Sequence, residues 1–175
     1  MGNAKGKLMM TRRNSLLKFG ALSAGVAAAL AGMRGLLVAT PAHAARVYEI
    51  AHSDAEWQKL LRPNQYRVLR QAGTEPPYTS PLNKEKRAGV FTCAGCALPL
   101  FSSATKFESG TGWPSFWQPM DKAVVEESDT TLFMKRVEVL CRRCGGHLGH
   151  VFDDGPKPTG LRYCINGLAL NFKAA

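Results

Sequence analysis

No acidic residue occurs in the first 44 positions of this 175-residue chain, although thirteen follow. Lys5, Lys7, Arg12, Arg13 and Lys18 stand there unopposed, and an apolar run rich in Ala and Gly extends from Phe19 to Leu30. "TPAHA" then sets Ala42 and Ala44 in an A-x-A cleavage pattern. These are the parts of an export signal, to be set aside before the fold is read. A clean membrane span is missing as well. Arg34 interrupts the later apolar stretch, short of the ~20 residues a helix needs to cross a bilayer.

The basic excess shrinks once the leader is removed. Six of the 23 basic residues lie before position 45, leaving a net charge near +4 on the remainder. A bound metal held by four thiolates would lower it further. That balance, with no stripe of basic and aromatic residues, excludes a large nucleic-acid footprint. There is also no internal repeat, no low-complexity tract after the leader and no βαβ pattern. The pair Arg12–Arg13 in "TRRNSLLKFG" resembles a twin-arginine signal, although Ser15 stands where such signals usually carry Phe or Leu. The expected organisation is a signal peptide over 1–44 and a single domain over 45–175, exported to the periplasm and monomeric. Membrane contact is expected only in transit or through an uncleaved N-terminal segment.

What remains is a small domain in two textures. "SDAEWQKLL" opens on a capping box, Ser53 with Glu56, and predicts a short helix with Trp57, Leu60 and Leu61 on one face. "PNQYRVLRQAG" predicts a second helix opened by Pro63, with Tyr66 and Leu69 inward and Gly73 as its stop. "TEPPYTSPLNKEKRAG" reads as a wrapping loop. From Val90 onward short strands are expected at Val90–Thr92, Val124–Glu126, Thr131–Val139, Val151–Phe152 and Ala169–Phe172. The predicted class is mainly β, with small helices ahead of the strands.

Cysteine is scarce: five in all, four of them in two Cys-x-x-Cys pairs, Cys93/Cys96 and Cys141/Cys144. Each pair follows a predicted strand and precedes a tight turn, so two thiolates can point at one ion. Two such knuckles make the tetrahedral sulfur site of structural zinc, closed to chemistry. Oxidation of the pairs to disulfides is the rival reading for an exported chain.

Cys164 is left over in "GLRYCINGL". It is either an inert buried thiol or a nucleophile, and its neighbours favour the second. Arg162 and Asn166, two residues to either side, share its face on a strand, and a guanidinium stabilises a thiolate. Only three histidines follow the leader, and "GGHLGHVFDDGP" holds two of them, His147 and His150, suited to proton transfer. "GTGWPSFW" presents Trp113, Phe116 and Trp117 in a Gly/Pro frame, an aromatic wall for a methyl or thioether group. Taken alone these parts indicate thiol chemistry without naming the electrophile. A disulfide oxidoreductase and a noncatalytic zinc module are the alternatives.

The long segments "WQKLLRPNQYRVLRQAGTEPPYTSPL", "CAGCALPLFSSATKFESGTGWPSF" and "RVEVLCRRCGGHLGHVFDDGPKPTGLRYCINGLAL" together resemble the B-type methionine sulfoxide reductases. The resemblance implies two packed antiparallel β-sheets with short N-terminal helices and a structural zinc on Cys93, Cys96, Cys141 and Cys144. It implies reduction of methionine R-sulfoxide, free or in proteins, by Cys164 through a sulfenic acid. His147, His150, Asn166 and Arg162 would serve the site, with Trp113 receiving the substrate methyl group and Phe116 beside it. Many relatives carry a resolving cysteine where this chain has Thr111, so the implied reductant is an outside thiol, either a thioredoxin-like protein or a small molecule.

Overall fold

The computed structural model describes residues 46–129 and 136–175. The leader and Thr131–Lys135, the first half of one predicted strand, lie outside the described residues. Two helices come first, α1 over Asp54–Leu60 and α2 over Pro63–Gln71. The capping box of α1 forms as its sequence requires: Ser53 accepts from the Glu56 amide, and Glu56 reaches back to the Ser53 amide. Trp57 and Leu61 are buried, but Leu60 is exposed. The helix stops at Leu60 and Leu61 takes an extended conformation, which turns Leu61 inward and leaves its neighbour outside. On α2 the inward residues are Val68 and Leu69 with Gln65, while Tyr66 is half-buried. Its left-handed cap is Ala72 rather than Gly73.

Nine strands follow among the described residues. A three-stranded antiparallel sheet takes the order β2-β1-β9, from Pro99–Ser102, Gly89–Cys93 and Leu170–Ala174. A six-stranded antiparallel sheet takes the order β3-β4-β8-β7-β6-β5. Its members are Lys106–Phe107 (β3), Ser115–Phe116 (β4), Val124–Asp129 (β5), Arg136–Cys141 (β6), His147–Phe152 (β7) and Arg162–Ile165 (β8). The strands expected at Val90–Thr92, Val124–Glu126 and Val151–Phe152 lie within β1, β5 and β7; β6 covers the described end of the one expected at Thr131–Val139, and β9 starts at Leu170, after a 3-10 turn that takes Ala169. The very short β3 and β4 carry too few residues to show an alternation.

Aromatic contacts join the two sheets. Phe101 on β2 stacks on Phe116 of β4 at 4.4 Å, and Phe91 on β1 meets the same ring edge-on at 4.9 Å. Phe101 also reaches Tyr163 on β8, 5.9 Å away. Phe116 is fully buried among these rings, so it holds the sheets together instead of lining a substrate wall. The reason is alternation: neighbouring residues of a strand point to opposite sides, and Phe116 takes the core side.

The helices close one end of this core over the cysteine knuckles. Leu69 and Trp57 approach Gly95, between Cys93 and Cys96, so closely that an added Cβ there would lie 3.6 and 3.7 Å from them. Arg70 donates to the Cys144 carbonyl at 3.0 Å and lies over the Trp57 ring at 5.0 Å.

Candidate active site and metal centre

The six-stranded sheet brings the predicted catalytic residues together by register. On β8, Cys164 stands opposite Ser115 of β4 on one side and opposite His150 of β7 on the other. His150 in turn stands opposite Glu138 of β6. Directly paired residues share a face of the sheet, so these side chains form one row across four strands.

A pocket of about 150 Å³ opens over this row, lined by Thr74, Trp113, His150, Phe152, Cys164 and Asn166 among others. Of the two histidines, His150 lines the pocket and His147 lies behind it, buried, with ring centroids 5.5 Å apart. Three residues apart on a regular strand they would face opposite ways, but β7 is irregular between its pairings at Val139 and Leu140. Next to this irregularity, Gly149 lets β8 approach closely, because a Cβ there would collide with the Cys164 carbonyl. A larger concavity of about 530 Å³ lies between Arg62, Pro76, Leu82, Leu168 and Phe172. It holds neither thiol nor imidazole, so the chemistry belongs to the smaller pocket.

Each imidazole is held by a carboxylate. Nδ1 of His147 lies 2.6 Å from Glu138, and Nε2 of His150 lies 2.9 Å from Asp129. Nε2 of His147 is buried without a partner among the described residues. Burial pushes the His150 pKa down, the hydrogen bond to Asp129 opposes this, and the Arg136 charge lowers it further.

Arg162 is committed elsewhere than its sequence position suggests. It makes a bidentate pair with Asp154 at 2.8 Å and stacks on Phe152 at 4.4 Å. The Asp154 bond is the main cause of its raised pKa, with a smaller contribution from the Cys164 sulfur. Asn166 lines the pocket, yet both ends of its amide are engaged: Oδ1 accepts from the Glu75 amide at 3.0 Å and Nδ2 donates to the Leu148 carbonyl at 3.1 Å. It fastens β7, the histidine strand, to the residue after β8.

Glu75 escaped sequence reading because it sits in a Pro-rich loop without any pattern. It is almost fully buried, at 3 % exposure. Its carboxylate accepts from the Gly167 and Leu168 amides, just past Cys164, and its carbonyl accepts the Trp113 indole N–H at 3.0 Å. One residue thus ties the indole wall, Asn166 and the chain after the thiol. Burial raises its carboxyl pKa against those amide bonds. Asp129, Glu138 and Asp154 were missed for a similar reason, since acids are common on exposed strands and loops.

The other four cysteines converge. Their sulfurs all lie within 4.8 Å of one another, with Cys93 and Cys144 at 3.8 Å and Cys96 and Cys141 at 3.5 Å. A tetrahedral ion about 2.3 Å from each sulfur requires sulfur–sulfur edges of about 3.8 Å. The cluster therefore fits a metal ion.

A sheet-borne cysteine facing an imidazole and an indole, on a fold that gathers four other cysteines into a cluster able to hold a metal ion, defines a thiol-dependent enzyme. Comparison with known proteins agrees. The SelR domain family matches residues 61–174. A protein of Leptospira interrogans named peptide methionine sulfoxide reductase MsrB is 56% identical over 127 residues, which is 72% of this chain and 97% of the relative. Proteins of the same name from Methanosarcina barkeri and Pseudomonas putida are each 58% identical, over 71% and 67% of this chain and 88% and 90% of their own lengths. The chain belongs to the SelR, or MsrB, family.

The lowered His150 pKa sets a sign for stability against pH. Below the ordinary histidine value of 6.5 the unfolded chain binds a proton at this ring more readily than the folded one, so stability falls as pH drops through that range. The urea midpoint should decrease between about pH 7.5 and about pH 5.5, and His150→Gln should make the decrease shallower. A ring-proton NMR titration should place His150 below 6.5; a midpoint above it would refute the assignment.

Proposed function

We propose that this protein reduces the R epimer of methionine sulfoxide to methionine, with Cys164 as the nucleophile. The observation that carries the reading is the pairing of Cys164 with His150 across β8 and β7 at the floor of a pocket walled by Trp113. The indole face receives the substrate methyl group and fixes which epimer directs its oxygen toward the imidazole. The Cys164 sulfur attacks the sulfoxide sulfur while the oxygen takes a proton from the His150 side, with His147 and its Glu138 partner supporting that ring. An imidazole with a lowered pKa is the stronger acid when protonated, which suits this step. The oxygen passes to Cys164, methionine leaves, and the two electrons gained by the substrate have come from the thiol, now a sulfenic acid.

Thr111 lies 3.6 Å from Cys164, where a resolving cysteine would otherwise stand. The four remaining cysteines belong to the cluster. An outside thiol therefore attacks the sulfenic acid, water leaves, and a second thiol frees Cys164 from the mixed disulfide. That outside thiol is either a thioredoxin-like protein or a small molecule. Asn166 and Arg162 act as positioning residues, through β7 and through Asp154 respectively. With separated epimers and excess dithiothreitol, residues 45–175 should reduce only the R form, and Cys164→Ser should lower turnover at least a thousandfold. Equal use of both epimers, or an active Cys164→Ser variant, would refute the assignment.

We assign the four-thiolate cluster to zinc, which favours tetrahedral sulfur and has no redox chemistry of its own. Elemental analysis should find one zinc per chain, and its removal by a chelator should lower the unfolding temperature by more than about 10 °C, since metal binding is folding free energy in such sites. A metal-free, fully folded protein with two disulfides would contradict it.

We further infer that residues 1–44 direct export to the periplasm, leaving residues 45–175 as the working domain. What supports this is the acid-free leader with its paired arginines and A-x-A site. Amino-terminal sequencing of the cell-envelope protein should begin at Ala45; a full-length chain confined to the cytoplasm would overturn the reading.

A further inference from the structure

Beyond Cys164 runs a line of hydroxyls that the reaction above does not use. Thr111 Oγ1 lies 3.6 Å from Cys164 Sγ, Ser109 Oγ lies 2.8 Å from Thr111 Oγ1, and Ser115 Oγ lies 2.7 Å from Ser109 Oγ. The line ends where Ser115 meets the Trp113 carbonyl at 3.1 Å. Ser115 is fully buried and pairs with Cys164 in register, so the chain leaves the sulfur and returns beside it within one layer of the sheet.

Each hydroxyl has one proton to give and can accept two. Ser109 touches two hydroxyls but can donate to only one, so the orders that spend every hydroxyl proton without a break between Cys164 and Ser115 run in two opposite directions. In the first, the Cys164 S–H donates to Thr111, Thr111 to Ser109, Ser109 to Ser115, and Ser115 to the Trp113 carbonyl. In the second every proton reverses: Ser115 donates to Ser109, Ser109 to Thr111, and Thr111 to a Cys164 thiolate. The first suits a neutral sulfur, which needs an acceptor; the second suits an anion, which needs a donor. We propose that Thr111, Ser109 and Ser115 form a reversible hydroxyl relay that sets the reactivity of Cys164, with Thr111 as the contacting residue and Ser109 as the link that lets it reverse.

The loop that carries the relay is built to hold it still. The Gly112 carbonyl accepts from the Tyr78 amide at 2.7 Å and from Asn83 Nδ2 at 2.9 Å, while the Tyr78 hydroxyl donates to the Gly110 carbonyl at 2.6 Å. Gly112 takes φ +93°, and a Cβ there would lie 2.7 Å from Pro77. Thr111 is therefore clamped between two fixed glycines, so its hydroxyl need not be ordered at the moment of reaction. The relay also links the sulfur to the substrate wall. In the thiolate order the Trp113 carbonyl loses its hydroxyl donor, and the indole is then held through its N–H on Glu75.

The relay matters to turnover only if Cys164 is the nucleophile proposed above, but its test does not require sulfoxide chemistry. The probe is iodoacetamide, with alkylation of the Cys164 peptide followed by mass spectrometry at neutral pH in the zinc-loaded protein. Thr111→Val, which keeps the shape and removes the hydroxyl, should slow alkylation about tenfold, and Thr111→Ser should restore it to within about twofold. Ser109→Ala is the decisive variant, because Ser109 has no hydrogen bond to Cys164 of its own. It should slow alkylation at least threefold while far-UV circular dichroism and unfolding temperature stay near those of the parent. An unchanged rate in Ser109→Ala, with Thr111→Val slowed, would reduce the relay to a single hydrogen bond and overturn it; unchanged rates in both would remove the hydroxyls from the site altogether. Slowed alkylation in a protein that fails to reduce either sulfoxide epimer would uphold the relay and refute the function.

Discussion

Strand β8 is hydrogen-bonded on one side to β4 and on the other to β7, and this double pairing holds Cys164 opposite Ser115 and His150 at once. A slip of one residue in either ladder would turn the β8 side chains to the opposite face. Cys164 would then enter the aromatic core, and Tyr163, which now packs against Phe101, would enter the pocket. The chemistry therefore depends on the register of a four-residue strand, and much of the surrounding structure can be understood as fixing it. Phe116 on β4 locks one neighbour into the core. Asn166 ties the end of β8 to the Leu148 carbonyl on the other neighbour.

Two further constraints act from outside the sheet. The four-cysteine cluster joins the end of β1 to the end of β6, and so fastens the small sheet to the large one. Cys144 and His147 are separated by only two residues, so the cysteine cluster also limits where the histidine strand can begin. Glu75 works from the opposite side. It takes the two amides that follow Asn166 and holds the Trp113 indole with its own carbonyl. A four-cysteine cluster fixes the strands, and a buried carboxylate fixes what lies over them.

The parts legible in the sequence were those whose physics is local. Two Cys-x-x-Cys knuckles, a Ser53–Glu56 capping box and a leftover thiol flanked by Arg162 and Asn166 can be read within a few residues. The parts that were not legible act over long separations or in strands too short to show a period. Glu75 meets Asn166 across 91 positions. Phe116 sits three residues from Trp113 in one aromatic loop, and nothing local shows that one enters the core and the other the pocket. Arg162 and Asn166 flank Cys164 in the sequence, but their main partners, Asp154, Glu75 and Leu148, could be known only from the fold. Family resemblance supplied the reaction, which the residues alone had left open between sulfoxides and disulfides.

The central claim is that Cys164 works alone, with no second cysteine of the chain to relieve it. A single turnover tests this most directly: the purified domain is mixed with excess methionine R-sulfoxide, without any reductant, in the presence of dimedone. The account predicts one methionine formed per chain, a dimedone adduct on the Cys164 peptide, and an intact four-cysteine cluster. An internal disulfide between Cys164 and any of the other four cysteines, formed in place of the adduct, would contradict it.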